Sequence, residues 1–264
     1  MIIRKSPEEI ARMRKAGRIV ADTIDTVLAA VEPGRSTLDL DRVAERFIRE
    51  QGAIPSFKGY RGTYPASICT SIDAEIVHGI PSATRKLKEG MVLSLDFGAI
   101  WEGFHGDAAV TVFVGGQAPS EEAAKLAKET EHALYAAIDA IRVGGRLSDI
   151  GHTIEGVAGA AGLGVVREYG GHGIGRSMHE EPFIQNWGPP GRGLELRPGL
   201  TIAVEPMFTL GGEENRVLAD GWTVVTIDGS LAAHFEHTIA VTEDGPEILT
   251  SRGELPGWSA AQSS

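Results

Sequence analysis

The stretch Leu87-Lys-Glu-Gly-Met-Val-Leu-Ser-Leu-Asp96 recurs 109 positions later as Leu196-Arg-Pro-Gly-Leu-Thr-Ile-Ala-Val-Glu205, so that a carboxylate falls on a carboxylate. The strand that follows repeats too. His105-Gly-Asp107 matches His234-Phe-Glu236 at an offset of 129, the extra residues forming a longer excursion between the two strands of the second copy. Upstream, Pro33-Gly-Arg-Ser-Thr-Leu-Asp39 is echoed by Gly144-Gly-Arg-Leu-Ser-Asp149. Solenoid units repeat every ~20–50 residues, so a repeat this long marks duplicated half-domains. One domain over residues 1–250 is expected, with halves of about 1–115 and 116–250, followed by a tail, 251–264, that has no periodicity. Halves packed about a pseudo-two-fold axis would bring Asp96, Asp107, Glu205 and Glu236 to one spot.

Asp96 and Asp107 flank a predicted hairpin, 91–99 and 105–114, turning through Trp101-Glu102-Gly103. A turn centred there sets the two aspartates directly opposite each other, with Cβ atoms ~4.5–5.5 Å apart, where like charges repel. Such a pair binds a proton at a raised pKa or binds a cation. Rigid strands, with further acids and imidazoles downstream, favour the cation. His172 and His179 lie in Gly170-Gly-His-Gly-Ile-Gly-Arg-Ser-Met-His179, and His78 lies in Val77-His-Gly-Ile-Pro81. Four carboxylates with one or two imidazoles suit divalent manganese, iron or cobalt, with zinc also possible. Structural zinc would want thiolates, and Cys69 is the single cysteine. Four negative charges would be neutralised by two dications, which ~3.5–4 Å apart form the usual dinuclear hydrolase arrangement. His105, His132, His152, His234 and His237 are expected to be core or surface histidines, with support to a ligand open for His105 or His237.

Ser6-Pro7-Glu8-Glu9 supplies an N-cap, a first-turn proline and the acid of a capping box. Ile10, Met13, Gly17, Val20, Ile24, Val27 and Val31 then share one face for about seven turns. Further helices are expected over 37–51, 120–143 and 148–161. Strands are expected near 66–71, 76–78, 92–99, 107–114, 165–169, 201–210, 223–227 and 234–242. Helix pairs followed by antiparallel strands, given twice, make an α+β sheet with helices on one side. A net charge of −11 argues against nucleic-acid and anionic-membrane partners. With one cysteine, a charged N-terminal helix and no apolar run of ~18–20 residues, a cytoplasmic setting is expected; a monomer is assumed.

In this order, His78-Gly-Ile-Pro81, the aspartates at 96 and 107, Gly171-His-Gly-Ile-Gly175, Met178-His-Glu-Glu-Pro182, Val204-Glu-Pro206 and Phe235-Glu-His-Thr238 resemble the type I methionine aminopeptidases of bacterial form. The likeness runs from about Ile10 to Leu249. It implies the pita-bread fold and a metal-dependent hydrolase that removes the N-terminal methionine of new proteins when the second residue is small. By the family pattern the metal ligands are Asp96, Asp107, His172, Glu205 and Glu236, with Asp107 and Glu236 bridging two divalent ions (cobalt, manganese, iron or zinc). Glu205 would act as general base, and His179 and His78 would stand near the scissile amide. Phe57, Tyr60, Tyr64, Cys69, Met178 and Trp222 would surround the methionine side chain. Implied partners are peptides with a free N-terminal methionine and, transiently, the ribosome and nascent chain. Three departures stand out: Phe57 where a small thiol is expected, Met178 where an aromatic ring is expected, and Ala108-Ala109 where Thr-Ser or Thr-Ala is expected. Rivals are an X-Pro aminopeptidase or prolidase, whose members usually carry a large N-terminal domain, and a non-catalytic binding module, which would lack several of these ligands.

Overall fold

Ser6 accepts a hydrogen bond from the Glu9 N–H while the Glu9 carboxylate accepts from the Ser6 N–H, and Pro7 fills the first helical position. Helix α1 (Pro7–Leu28) therefore starts where the sequence marks it. The computed structural model describes residues 2–252. Of the expected tail, only Ser251 and Arg252 fall within them. A second capping box, Ser36 with Asp39, opens α2 (Thr37–Glu50). Ser120 caps α3 (Glu121–Ala140), and α4 spans Ser148–Ala161. α1 stops before Val31 and buries Met13, Gly17, Val20, Ile24 and Val27, five of the residues in the expected stripe.

The strands of the first copy are β1 (Ile54–Pro55), β2 (Ile68–Ile72), β3 (Glu75–Val77), β4 (Val92–Trp101) and β5 (Phe104–Phe113). Those of the second are β6 (Gly164–Val165), β7 (Gly171–Gly173), β8 (Glu180–Ile184), β9 (Thr201–Val204), β10 (Met207–Thr209), β11 (Asn215–Val217), β12 (Val224–Thr226), β13 (Ala232–His234), β14 (Glu236–Thr242) and β15 (Gly245–Ile248). One large antiparallel sheet runs β1-β4-β5-β14-β9-β7-β8, with β2 also on β4 and β15 also on β14. Its centre reads β4-β5-β14-β9, so each copy contributes a strand pair and the copies meet where β5 lies beside β14. Small sheets β13-β10-β6 and β11-β12-β3 complete the fold. Leu93, Leu95, Phe97 and Ala99 on β4, with Ala108, Val110 and Val112 on β5, belong to the core shared with the helices. Each fully buried large side chain there contributes roughly 1.5–3 kcal/mol. By alternation, Asp96 and Asp107 project from the other face.

The hairpin register differs from the expected one. Glu102 and Gly103, at φ 46° and 78°, make a two-residue turn of the kind that suits hairpins, so Trp101 pairs with Phe104. Asp96 is thus opposite Ala109, and Asp107 opposite Gly98. The aspartates are diagonal neighbours rather than direct partners. Because the slip is two residues, both remain on one face.

Two expected strands are broken. The run 201–210 splits at Glu205-Pro206 into β9 of the large sheet and β10 of a small one, because Pro206 has no N–H for the ladder. Likewise 234–242 splits at Phe235 into β13 and β14. The expected strand 165–169 shortens to β6, and β7 and β8, in the glycine-rich region, carry no alternation that sequence could show. β3 ends at Val77 because His78 takes φ 61°.

Candidate metal centre

Six side chains from five strands and one bend converge under the sheet. Asp107 comes from β5, His172 from β7 and Glu236 from the first position of β14, and one ligand atom of each lies within 4.8 Å of the others. Glu205, His234 and Glu236 form a second triad on the same criterion. Glu205 sits in the bend between β9 and β10, where Asn186 donates to its backbone carbonyl at 2.9 Å. His172 Nε2 is 3.7 Å from Asp107 Oδ2 and 3.6 Å from Glu205 Oε1. Its Nδ1 meets the Gly173 carbonyl at 2.8 Å; donating there leaves the Nε2 lone pair for a metal. Asp96, on β4 with Cys69 across from it on β2, faces the same cavity but stands outside both triads.

Asp96 Oδ1, Asp107 Oδ1, Glu236 Oε1 and His234 Nε2 are buried and find no hydrogen-bond partner among the described residues. An unmet buried polar atom costs about 1–3 kcal/mol, and more when charged, so four together call for an ion. Burial, then the charges of Asp107 and Glu205, push Asp96 well above the usual carboxylate range. Burial, then Asp107 and Glu205, do the same to Glu236. Asp107 is raised by burial, against the pull of His172. Burial opposes the charge of Glu205, yet His234, His172 and His179 outweigh it and hold its pKa below the ordinary value. Burial likewise works against charge on His172, and Asp107 and Glu205 overcome it, so His172 is raised. Nitrogen and carboxylate donors in this mixture fit a divalent metal.

The acids form one wall of a cavity of about 240 Å³. Phe57, Tyr60, Tyr64, Cys69, Met178 and Trp222 line it, as do His78 and His179. Tyr64 stands edge-on to Trp222 at 5.1 Å and Phe57 edge-on to Tyr64 at 6.4 Å. Burial, then the charge of Asp96, keeps the Cys69 thiol protonated, so it acts by packing. The Tyr60 hydroxyl meets His179 Nδ1 at 2.8 Å, and the His179 ring lies 4.1 Å from that of His172. Desolvation lowers His179 to about 4, with His172 adding to the effect, although the residue stands at the exposed mouth. Burial also lowers His78 to about 4. Both imidazoles are therefore neutral at pH 7. The left-handed φ of His78 is unusual for a side chain of this size and is held by Gly79, whose N–H donates to Ser71 Oγ and whose carbonyl accepts from the Thr70 N–H.

The model of metallopeptidase family M24 matches residues 11–243. A methionine aminopeptidase of Clostridium acetobutylicum is 52% identical over 250 residues, covering 95% of this chain and 99% of that protein. The chain belongs to metallopeptidase family M24, among the methionine aminopeptidases. The crystal structure of the methionine aminopeptidase from Thermotoga maritima superposes with a TM-score of 0.93 at 44% identity, over 96% of this chain and all of that one. The Xaa-Pro dipeptidase from Bacillus anthracis shares only the fold: TM-score 0.74, 24% identity, 96% of this chain and 63% of that one. The expected pita-bread architecture is thus present, and M24 metallopeptidase chemistry fits the donor set.

His234, expected among the core or surface histidines, stands 2% exposed in the second of the two acid–imidazole triads. The repeat held the only signal, since both copies carry a histidine two residues before the acid. Tyr169, edge-on to His78 at 5.8 Å, and Arg61 also line the cavity without having been singled out. Ala108 lies in the apolar core, so a hydroxyl there would not reach the acids; Ala109 is the neighbour of both Asp96 and Glu236.

Without metal, Asp96, Asp107 and Glu236 have folded-state pKa values above their unfolded ones. These three groups hold protons in the folded state that the unfolded chain releases, so from about pH 4 upward their contribution to stability falls as pH rises. Cations bound at these acids would replace those protons. The gap in Tm between metal-loaded and chelator-treated protein is therefore expected to widen from pH 5 to pH 8. A gap independent of pH across that range would contradict this account.

Proposed function

We propose that this chain is a methionyl aminopeptidase that hydrolyses the first peptide bond of proteins beginning with methionine, using two divalent ions held by Asp96, Asp107, His172, Glu205 and Glu236. The observation carrying this reading is that the acid–imidazole cluster, with its unpartnered buried oxygens, opens into a cavity walled by aromatic side chains. When bound, the ions supply an acidified water and a Lewis acid for the scissile carbonyl. Cobalt, manganese, iron and zinc all suit the donor set.

The residues divide the remaining work. Glu205, ionised within the cluster, accepts the water proton and passes it toward the leaving amine. A neutral His179 that accepts from Tyr60 at Nδ1 carries its proton on Nε2, where it can donate to the oxyanion that develops on the carbonyl. His78, neutral and edge-on to Tyr169 and Trp222, serves the peptide nitrogen. Phe57, Tyr60, Tyr64, Cys69, Met178 and Trp222 receive the methionine side chain, with sulfur–aromatic contacts contributing ~0.3–1.5 kcal/mol each. The free, unprotonated α-amine of the substrate would offer the ions one more nitrogen donor, which explains cleavage at the first residue only. A site this confined prefers a small second residue. Among the described residues no helix is long and apolar enough to cross a membrane. The setting proposed is a cytoplasmic monomer that meets nascent chains transiently at the ribosome.

The test is release of methionine from Met-Ala-Ser with added manganese or cobalt, against peptides beginning Ala-Pro. Methionine release with no Ala-Pro cleavage is expected; the reverse would assign a prolidase, and neither would leave a binding module. His179→Ala is expected to lower kcat by ~10²–10³-fold, the loss typical of a single oxyanion donor, with metal content unchanged. Unaltered turnover in that variant would remove His179 from the chemistry.

A further inference from the structure

His234 is the last residue of β13 and lies opposite Met207 at the start of β10, directly after the Glu205-Pro206 bend. Its N–H donates to Thr111 Oγ1 at 2.9 Å, and its carbonyl accepts from the same hydroxyl at 2.8 Å, which fixes the backbone against β5. With Glu236 two residues on, the imidazole and that carboxylate leave the chain on the same side. The ring is 2% exposed, and its Nε2 finds no hydrogen-bond partner among the described residues. Other buried histidines are engaged: His105 Nδ1 meets Ser56 Oγ at 3.0 Å, and His237 meets Thr250 Oγ1 at 2.9 Å and the Tyr135 hydroxyl at 3.2 Å.

His234 Nε2 lies 3.6 Å from Glu205 Oε2 and 3.8 Å from Glu236 Oε2. Those separations are too long for hydrogen bonds. Two donors each ~2.1 Å from one ion are ~3.0–4.2 Å apart, and both distances fall in that range. They also match the 3.7 and 3.6 Å spacing of His172 to Asp107 and Glu205. We infer that His234 is a sixth metal ligand of this chain, joining Glu205 and Glu236 within the centre and giving it a second imidazole beside His172. This rests on the metal-centre reading above and adds a nitrogen donor to it. An imidazole raises affinity for cobalt and zinc more than for manganese, because the later metals favour nitrogen ligands.

X-ray absorption on the full-length protein loaded with two equivalents of cobalt tests the assignment directly. Imidazole scattering equivalent to two histidines per pair of ions is expected in the wild type and one in His234→Gln. By calorimetry, the weaker cobalt site of His234→Gln is expected to lose at least ~10-fold in affinity, and manganese less. Metal bound with a single imidazole in the wild type overturns the assignment of His234 and leaves the five-residue centre standing. Failure of the wild type to bind any divalent metal overturns both. The wild-type spectrum decides the question even if His234→Gln does not fold.

Discussion

Asp107→Asn is expected to lower kcat/KM for Met-Ala-Ser by at least ~10³-fold, beyond the ~10–100-fold that loss of an outer supporting contact costs. The amide has the shape of the carboxylate but none of its charge, and its NH₂ presents donors where an ion needs lone pairs. Asp107 is 3% exposed, its Oδ1 has no partner among the described residues, its Oδ2 lies 3.7 Å from His172 Nε2, and the residue belongs to the triad with His172 and Glu236. Its loss therefore affects the centre directly. The same substitution has an opposite effect on the metal-free fold. Asp107 is one of the charges that, after burial, push Asp96 and Glu236 upward, so neutralising it relieves repulsion. Chelator-treated Asp107→Asn is expected to melt above chelator-treated wild type, and to gain little on adding metal. Wild-type turnover with full metal content in the variant would sink the metal-centre reading; a destabilised metal-free variant would sink the repulsion argument alone.

Much of this arrangement is legible in sequence because duplication repeats the acids in register. Aligning Asp96 with Glu205 and Asp107 with Glu236 amounts to a statement about which strands meet, and β4-β5-β14-β9 is the order that results. What sequence missed lies where a local rule was needed in addition. The hairpin register turned on whether Trp101 joined the strand, and a shift by two residues changed direct opposition into a diagonal without altering the face. Breaks at Glu205 and Phe235 depend on strands passing from one sheet to another, which only Pro206 hints at. His105 and His234 occupy equivalent repeat positions, yet Ser56 engages the first, and no described residue hydrogen-bonds Nε2 of the second. The cavity walls have no periodic signal, and only the family resemblance pointed to them. Two departures from that pattern, Phe57 and Met178, fall in one apolar cluster with Tyr64 and Cys69. Aromatic bulk missing at 178 reappears at 57, a volume-conserving exchange of the kind cores tolerate.

Gly17→Val is expected to destabilise the protein by about 3 kcal/mol, the upper range for overpacking, because the atoms it meets are backbone. A Cβ at Gly17 would lie 2.2 Å from the Leu249 carbonyl oxygen and 2.7 Å from its carbon. On the other side, Gly106 packs so closely that a Cβ on it would lie 2.8 Å from Gly17 N. Helix α1 thus lies between β5 and the segment after β15 with no room for a side chain at this level. The consequence reaches the metal centre. The Leu249 N–H donates to the Thr238 carbonyl, the Thr238 hydroxyl donates to the Asp107 carbonyl at 2.8 Å, and the Asp107 N–H donates back at 2.9 Å. Forcing Leu249 away therefore pulls on the backbone that aims Asp107, while the same wedge presses on Gly106 next to it. For a chain of this size 1 kcal/mol shifts Tm by ~2–4 °C, so a fall of ~6–12 °C is expected in chelator, with weaker metal binding in calorimetry. Gly156→Ala, inside α4 with nothing within 4 Å of the added atom, is the control. It is expected to raise stability by ~0.5–1 kcal/mol and leave metal affinity alone. If Gly17→Val melts within about 2 °C of wild type, far less than its expected shift, the contact of α1 with β5 is not what holds Asp107 in place.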